Sequence, residues 1–285
     1  VKRTILLILS LVLASCSSEP QQQINIGIMS TDSSLVLKER WEPVFADLRR
    51  RTGLKVDAFY APNYAGIVQA MRFNKVQVAF LGGMSALEAT QRADGEVFAK
   101  VVEADGRAGY NAVLITRAGN RLRSADDVLR QARNLTFAIG DANSTSGTLA
   151  PVHYLFSSPG QDYRGRFKLL VSAGHQANIL AVVNRQVDVA TSSTQMLSVL
   201  RTSHPDQFRK IKVIWTSPLI PSAMMVYRRD LPEATKASLR TFFLSYGESD
   251  PHEKKVLAGL VTITGFTKPA SGDLDFIKNL STGRR

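Results

Sequence analysis

Along most of the chain the apolar positions switch between two spacings. Ile24–Met29 is a short apolar run of strand type, whereas Leu35–Arg51 carries Leu35, Trp41, Val44, Phe45 and Leu48 at helical spacing. Gly53 stops that helix. The alternation continues with a strand over Leu54–Tyr60, a helix over Tyr64–Phe73, a strand over Val76–Leu81 and a helix over Met84–Ala93. Strand and helix in turn predict βαβ units, a mostly parallel sheet with helices on its faces. Two strand-like stretches follow, Val97–Glu103 and Asn111–Thr116, then a helix from Ser124 with Asp126 and Asp127 in its first turn. The rhythm restarts with Leu135–Ile139, a helix ending near Ser157, the strand Phe167–Val171, the helix His175–Asn184, the strand Val187–Thr191 and the helix Thr194–Thr202. Ile211–Trp215 and Ala223–Tyr227 are further strands, joined by an extended Pro-containing segment, Ser217–Pro221. Pro232–Tyr246 is a helix, and the tail from Asp250 reads as two helical pieces, Glu253–Leu260 and Asp273–Leu280. Two α/β units in one chain predict two lobes.

One stretch stands out, Leu135–Pro151, in which a strand runs through the turn Gly140–Asn143 into three consecutive hydroxyls, Ser144, Thr145 and Ser146. The first N–H groups of a helix have no partner within it, and its dipole places partial positive charge there, so an oxyanion at that end collects N–H and hydroxyl donors together. Ser, Thr and Asn are also ordinary capping residues. Pro151 lacks an N–H and crowds the carbonyl four residues back, so the helix is kinked or starts later than Ser146.

At the N-terminus, Lys2 and Arg3 precede the apolar run Ile5–Leu13, and Leu13-Ala14-Ser15-Cys16 follows. That is the pattern of a secretory leader, too short to span a bilayer as a helix. The tetrapeptide resembles the lipobox of bacterial lipoproteins, which makes Cys16 the expected acylated residue; a signal cleaved elsewhere nearby is the alternative. Residues 17–22 read as a polar tether. A single cysteine excludes a disulfide framework. The formal charge is +12, or +10 without Lys2 and Arg3, but export argues against a nucleic-acid partner and the basic residues are scattered. We read the charge as long-range attraction for anions and anionic surfaces.

Ligands of open α/β sheets sit beyond the carboxyl ends of strands. The residues there are Asn63, Tyr64, Gly82–Ser85, Ser144–Ser146, Gly174, His175 and Ser192–Gln195, a donor-rich and acid-poor set suited to an anion. Ser146, His175 and Asp141 can be drawn as a hydrolase triad, but no G-x-S-x-G elbow is present and three adjacent hydroxyls suit a cradle better. The four histidines are dispersed without metal-ligand spacing, and nothing calls for a metal or a cofactor.

The segments Ala61–Gly66, Gln69–Lys75, Asp141–Gly147, Ala173-Gly174-His175 and Val213–Pro221 resemble those of the periplasmic phosphonate-binding proteins, the solute receptors of phosphonate ABC importers. The likeness runs from about Ile24 to about Gly265. It implies a type II periplasmic-binding-protein fold, two α/β lobes joined by two hinge crossings, with lobe one over 23–111 and 223–285 and lobe two over 112–222. It further implies a non-enzymatic receptor that closes over its ligand and docks on an inner-membrane permease. The phosphonate oxygens would be held by Ser144, Thr145, Ser146, the Tyr64 and Tyr110 hydroxyls and a protonated His175. Such donors satisfy three oxygens without a full countercharge apart from the imidazolium.

Two departures bear on the substrate. Family members that accept an aminoalkylphosphonate resemble one another in carrying carboxylates where the ammonium lies; this chain has Gln195 at one of those positions and Ser222-Ala223 at the other. Losing two charge-assisted bonds weakens an ammonium ligand by about one to three orders of magnitude. The expectation is an amine-free phosphonate such as methylphosphonate, or phosphite, with another oxyanion such as phosphate or a sulfonate as the alternative; a carboxylate elsewhere, Asp141 or Glu103, could take the missing role. A longer helical tail associated with dimerisation in the family has no counterpart before Arg285, so a monomer is expected.

Overall fold

The first apolar run forms β1 (Gln23–Ile28), and the chain alternates through α1 (Ser34–Thr52), β2 (Lys55–Tyr60), α2 (Tyr64–Arg72), β3 (Val78–Leu81) and α3 (Gly83–Arg92) into the long strand β4 (Gly95–Glu103). The computed structural model describes residues 23–107, 109–156, 163–172 and 174–282; the leader with Cys16 and the tether 17–22 lie outside the described residues. A short β5 (Gly109–Tyr110) leads to β6 (Ala112–Arg117), α4 (Ala125–Gln131), β7 (Thr136–Ile139), α5 (Ala150–Phe156), β8 (Leu169–Ser172), α6 (His175–Val183), β9 (Val189–Ser193), α7 (Thr194–Ser203), α8 (Pro205–Phe208) and β10 (Ile211–Thr216). A second short strand, β11 (Ile220–Pro221), precedes β12 (Met224–Arg228), α9 (Glu233–Ser245), α10 (Pro251–Gly259), β13 (Ile263–Thr267) and α11 (Asp273–Thr282).

The strands form two main sheets, a six-stranded one ordered β13-β4-β12-β3-β1-β2 and a five-stranded one ordered β10-β6-β9-β7-β8. β1 is parallel to β2 and β3, and β7 is parallel to β8 and β9, as βαβ connection requires. The chain crosses between the sheets twice, and the two crossing strands pair with each other, Tyr110 opposite Ile220 and Gly109 opposite Pro221. This is the two-lobed type II architecture.

The inner strands of each sheet are buried on both faces, and the period of two shows where their side chains go. On β3, Val78 and Phe80 join the cluster formed with Val44, Phe45 and Leu48 of α1, while Ala79 and Leu81 join the opposite cluster with Ile67 and Met71 of α2. In the second sheet Phe137 and Ile139 pack towards Val128 and Phe156, and Ala138 packs towards Ile179 and Val182. Burying one such side chain contributes about 1.5–3 kcal/mol, so both faces hold the strands in register. A further cluster joins the lobes: Leu87 of α3, Leu149 and Ala150 beside the cradle, and Ile277 and Leu280 of α11.

The tail departs from the sequence expectation, whereas the helix after the hydroxyl run meets it by starting later than Ser146. The tail is not purely helical, because Ile263–Thr267 pairs antiparallel with β4 at the edge of the first sheet. Its burial follows no clean alternation, since the register shifts between Ile263 and Gly265, so a period-two signal is lost. The helix after the hydroxyl run starts as an α-helix only at Ala150 and is preceded by a π-turn over Thr145–Leu149.

Candidate anion-binding site

The π-turn follows from Pro151. An ordinary helix would bring the N–H of residue 151 to the Gly147 carbonyl, and proline has none. That carbonyl accepts instead from the Gly140 N–H at 2.9 Å and from Thr191 Oγ1 at 2.7 Å. The Leu149 N–H reaches back to the Ser144 carbonyl at 3.0 Å, closing the wider turn. Ser144 caps it, its Oγ accepting from the Gly147 N–H at 2.9 Å. Gly140 is required by proximity: a Cβ there would lie 2.5 Å from Gly147 Cα.

His175, the first residue of α6, places Nε2 3.3 Å from Ser144 Oγ and 3.4 Å from Ser146 Oγ. Its Nδ1 is buried with no partner among the described residues. Burial pushes the imidazole down to about 4, so it is neutral at physiological pH in the ligand-free protein. Tyr64, at the start of α2, faces Ser144, and Tyr110, in the crossing strand β5, faces Ser146 and Thr145. Burial raises both phenols, Tyr110 to about 12, so both remain protonated donors. Across the lobes, Thr145 Oγ1 accepts from the Met84 N–H at 2.8 Å, in the first turn of α3. These six side chains are all buried, and with Gln195 they line a cavity of about 30 Å³.

Gln195, in the first turn of α7, donates its amide to both carboxylate oxygens of Glu103, at 2.7 and 2.8 Å. Glu103 is buried, which raises its carboxyl, partly opposed by the Gln195 bond. Ser222 and Ala223 are buried and bring no acid to the site.

Two other residues collected at strand ends cap helices. Asn63 caps α2, accepting from the Gly66 N–H at 2.9 Å, and Ser193 caps α7, accepting from the Met196 N–H at 3.2 Å. Asp141 accepts from the N–H groups of Tyr64 at 3.3 Å and Asn143 at 2.8 Å. It does not orient His175, whose Nδ1 is unpartnered, so the Ser-His-Asp triad is not assembled. Met29, Thr31 and Met196 also line the cavity and were not singled out by sequence; Met29 and Thr31 follow β1 and obey the same strand-end rule. Among the described residues no group of three or more His, Cys, Asp or Glu could hold a metal ion, and no helix is long and apolar enough to cross a membrane.

Two α/β lobes meeting over a small buried cavity lined with neutral donors define a solute receptor. The family model for periplasmic substrate-binding proteins of phosphonate ABC transporters matches residues 26–274, and the chain belongs to that family. It is 47% identical over 253 residues to the phosphonates-binding periplasmic protein of Escherichia coli (strain K12), covering 88% of this chain and 74% of the relative. A binding protein component of a phosphonate ABC transporter from Pseudomonas aeruginosa superposes with a TM-score of 0.89 at 43% identity, over 93% of this chain and 87% of that one. PhnD1 from Prochlorococcus marinus, solved in complex with methylphosphonate, shares the fold with a TM-score of 0.81 at 21% identity, over 93% of this chain and all 100% of that one. The protein is therefore a periplasmic phosphonate-binding receptor of ABC import and not an enzyme.

Proposed function

We propose that this receptor takes an amine-free phosphonate such as methylphosphonate, or the smaller phosphite, and that lobes 23–111 with 223–285 and 112–222 close over it. The carrying observation is the far end of the cavity: the side chain there is the Gln195 amide, and the carboxylate behind it is already engaged by that amide. Ser144, Thr145, Ser146, Tyr64, Tyr110 and His175 supply donors to the phosphonate oxygens. The anion's charge would favour protonation of His175, so the imidazolium forms with the ligand rather than before it.

Closure follows from the distribution of donors. The cradle and His175 follow strands of the second sheet, and Tyr64 and Met84 follow strands of the first, so a ligand bridging them stabilises the closed arrangement over the open one. Acylation of Cys16 would hold the receptor at the membrane beside its permease. Calorimetric titration with methylphosphonate and 2-aminoethylphosphonate tests the reading: methylphosphonate binds about tenfold or more tightly than the amine. A preference for the amine overturns it.

A further inference from the structure

Gln195 and Tyr110 form the wall between two cavities. On one side lies the anion cavity; on the other lies a larger one of about 220 Å³, whose lining includes Glu103, Asp105, Arg107 and Arg201. Glu103 lines only the larger cavity, although its carboxylate touches the Gln195 amide through both oxygens. At 4% exposure it is a deeply buried acid, and among the described residues no cationic side chain forms an ion pair with it. The neighbouring cation, Arg107, is bonded to Asp105 at 2.6 Å and to Asn111 at 2.9 Å. The fully buried Ser222 hydroxyl lies near the same carboxylate and makes no hydrogen bond of its own among the described residues. A buried carboxylate held by neutral groups is a poor contribution to folding, because desolvation is only partly offset.

We propose that Glu103 is a masked cation subsite and that Gln195 is the specificity-determining residue that masks it. With the amide bonded to Glu103, the wall is closed and the receptor favours amine-free ligands. With that amide removed, the two cavities join and the carboxylate is free for an ammonium group carried on an aminoalkylphosphonate whose phosphonate remains in the cradle. The inference rests on the reading of the anion cavity as the phosphonate site.

The test is calorimetric titration of methylphosphonate and 2-aminoethylphosphonate into the wild-type receptor, Gln195→Ala, and the double variant Gln195→Ala/Glu103→Gln. Gln195→Ala is expected to shift the affinity ratio towards the amine by about tenfold or more, the scale of one charge-assisted bond, and Glu103→Gln in that background to cancel the shift. Gln195→Ser, which keeps a short hydroxyl beside the carboxylate, supplies the same comparison if the alanine variant does not fold. An unchanged ratio in a variant that still binds methylphosphonate overturns the inference and leaves the reading of the cavity standing. A shift that survives Glu103→Gln also overturns it, assigning the gain to space alone. Failure of the wild-type protein to bind methylphosphonate overturns the reading of the cavity, and the inference with it.

Discussion

Thr145 Oγ1 accepts the Met84 N–H at 2.8 Å, so the central hydroxyl of the cradle on the second lobe is fixed by the first turn of α3 on the other. A single side chain thus lines the proposed anion cavity and bonds across the apposition of the lobes. Thr145→Val keeps the shape, removes the acceptor and leaves a partly buried N–H unpaired, a loss of about 1–3 kcal/mol. Phosphonate affinity is expected to fall by about five- to a hundredfold in calorimetric titration, with Thr145→Ser close to wild type. Equal binding by the valine variant would show that the bond does not couple the lobes to the site.

Gly140 and Gly147 are in backbone contact, which predicts a steric test of the π-turn. In Gly140→Ala the new methyl meets the Gly147 backbone at 2.5 Å, and neither side is a flexible side chain that can swing away. The cradle must shift, at an expected cost of about 1–3 kcal/mol in stability and at least about tenfold in phosphonate affinity. Gly165→Ala is the control, since among the described residues nothing lies within 4 Å of the added carbon. Denaturant unfolding and titration on both variants check the pair.

His175 predicts a pH dependence whose sign is fixed by burial. Its folded value is about 4 against 6.5 for the exposed group, so between these pH values the unfolded state binds more protons. Stability in the ligand-free protein is therefore lost as pH falls from 6.5 towards 4, by an amount on the order of 3 kcal/mol. His175→Gln, neutral throughout, should show a shallower loss over the same window in urea unfolding at several pH values. Parallel curves for variant and wild type would place the titration elsewhere.

Much of the geometry of the candidate site was legible in the sequence because it depends on local order. Ser144–Ser146 follow a strand, His175 opens a helix after the next strand, and Tyr64 does the same in the first unit, so the strand-end rule collects them. The strain at Pro151 was legible too, since it depends on one missing N–H, but its resolution was not. The freed Gly147 carbonyl is taken by Thr191, 44 residues further on, a contact no local pattern encodes. Glu103 and Gln195 are 92 residues apart, and their pairing exists only once β4 and α7 are brought together across the crossing strands. β13 escaped for a different reason: its five residues contain Gly265 and a register shift, which erase the alternation that marks a strand.

The most direct measurement of the central claim is calorimetric titration of the purified receptor with methylphosphonate, phosphite, 2-aminoethylphosphonate and phosphate, with Ser146→Ala in parallel. The account predicts that methylphosphonate or phosphite binds most tightly and that Ser146→Ala weakens it by about tenfold or more, the scale of a hydrogen bond to a charged group. Tighter binding of 2-aminoethylphosphonate than of methylphosphonate, or undiminished affinity in the Ser146 variant, would contradict it.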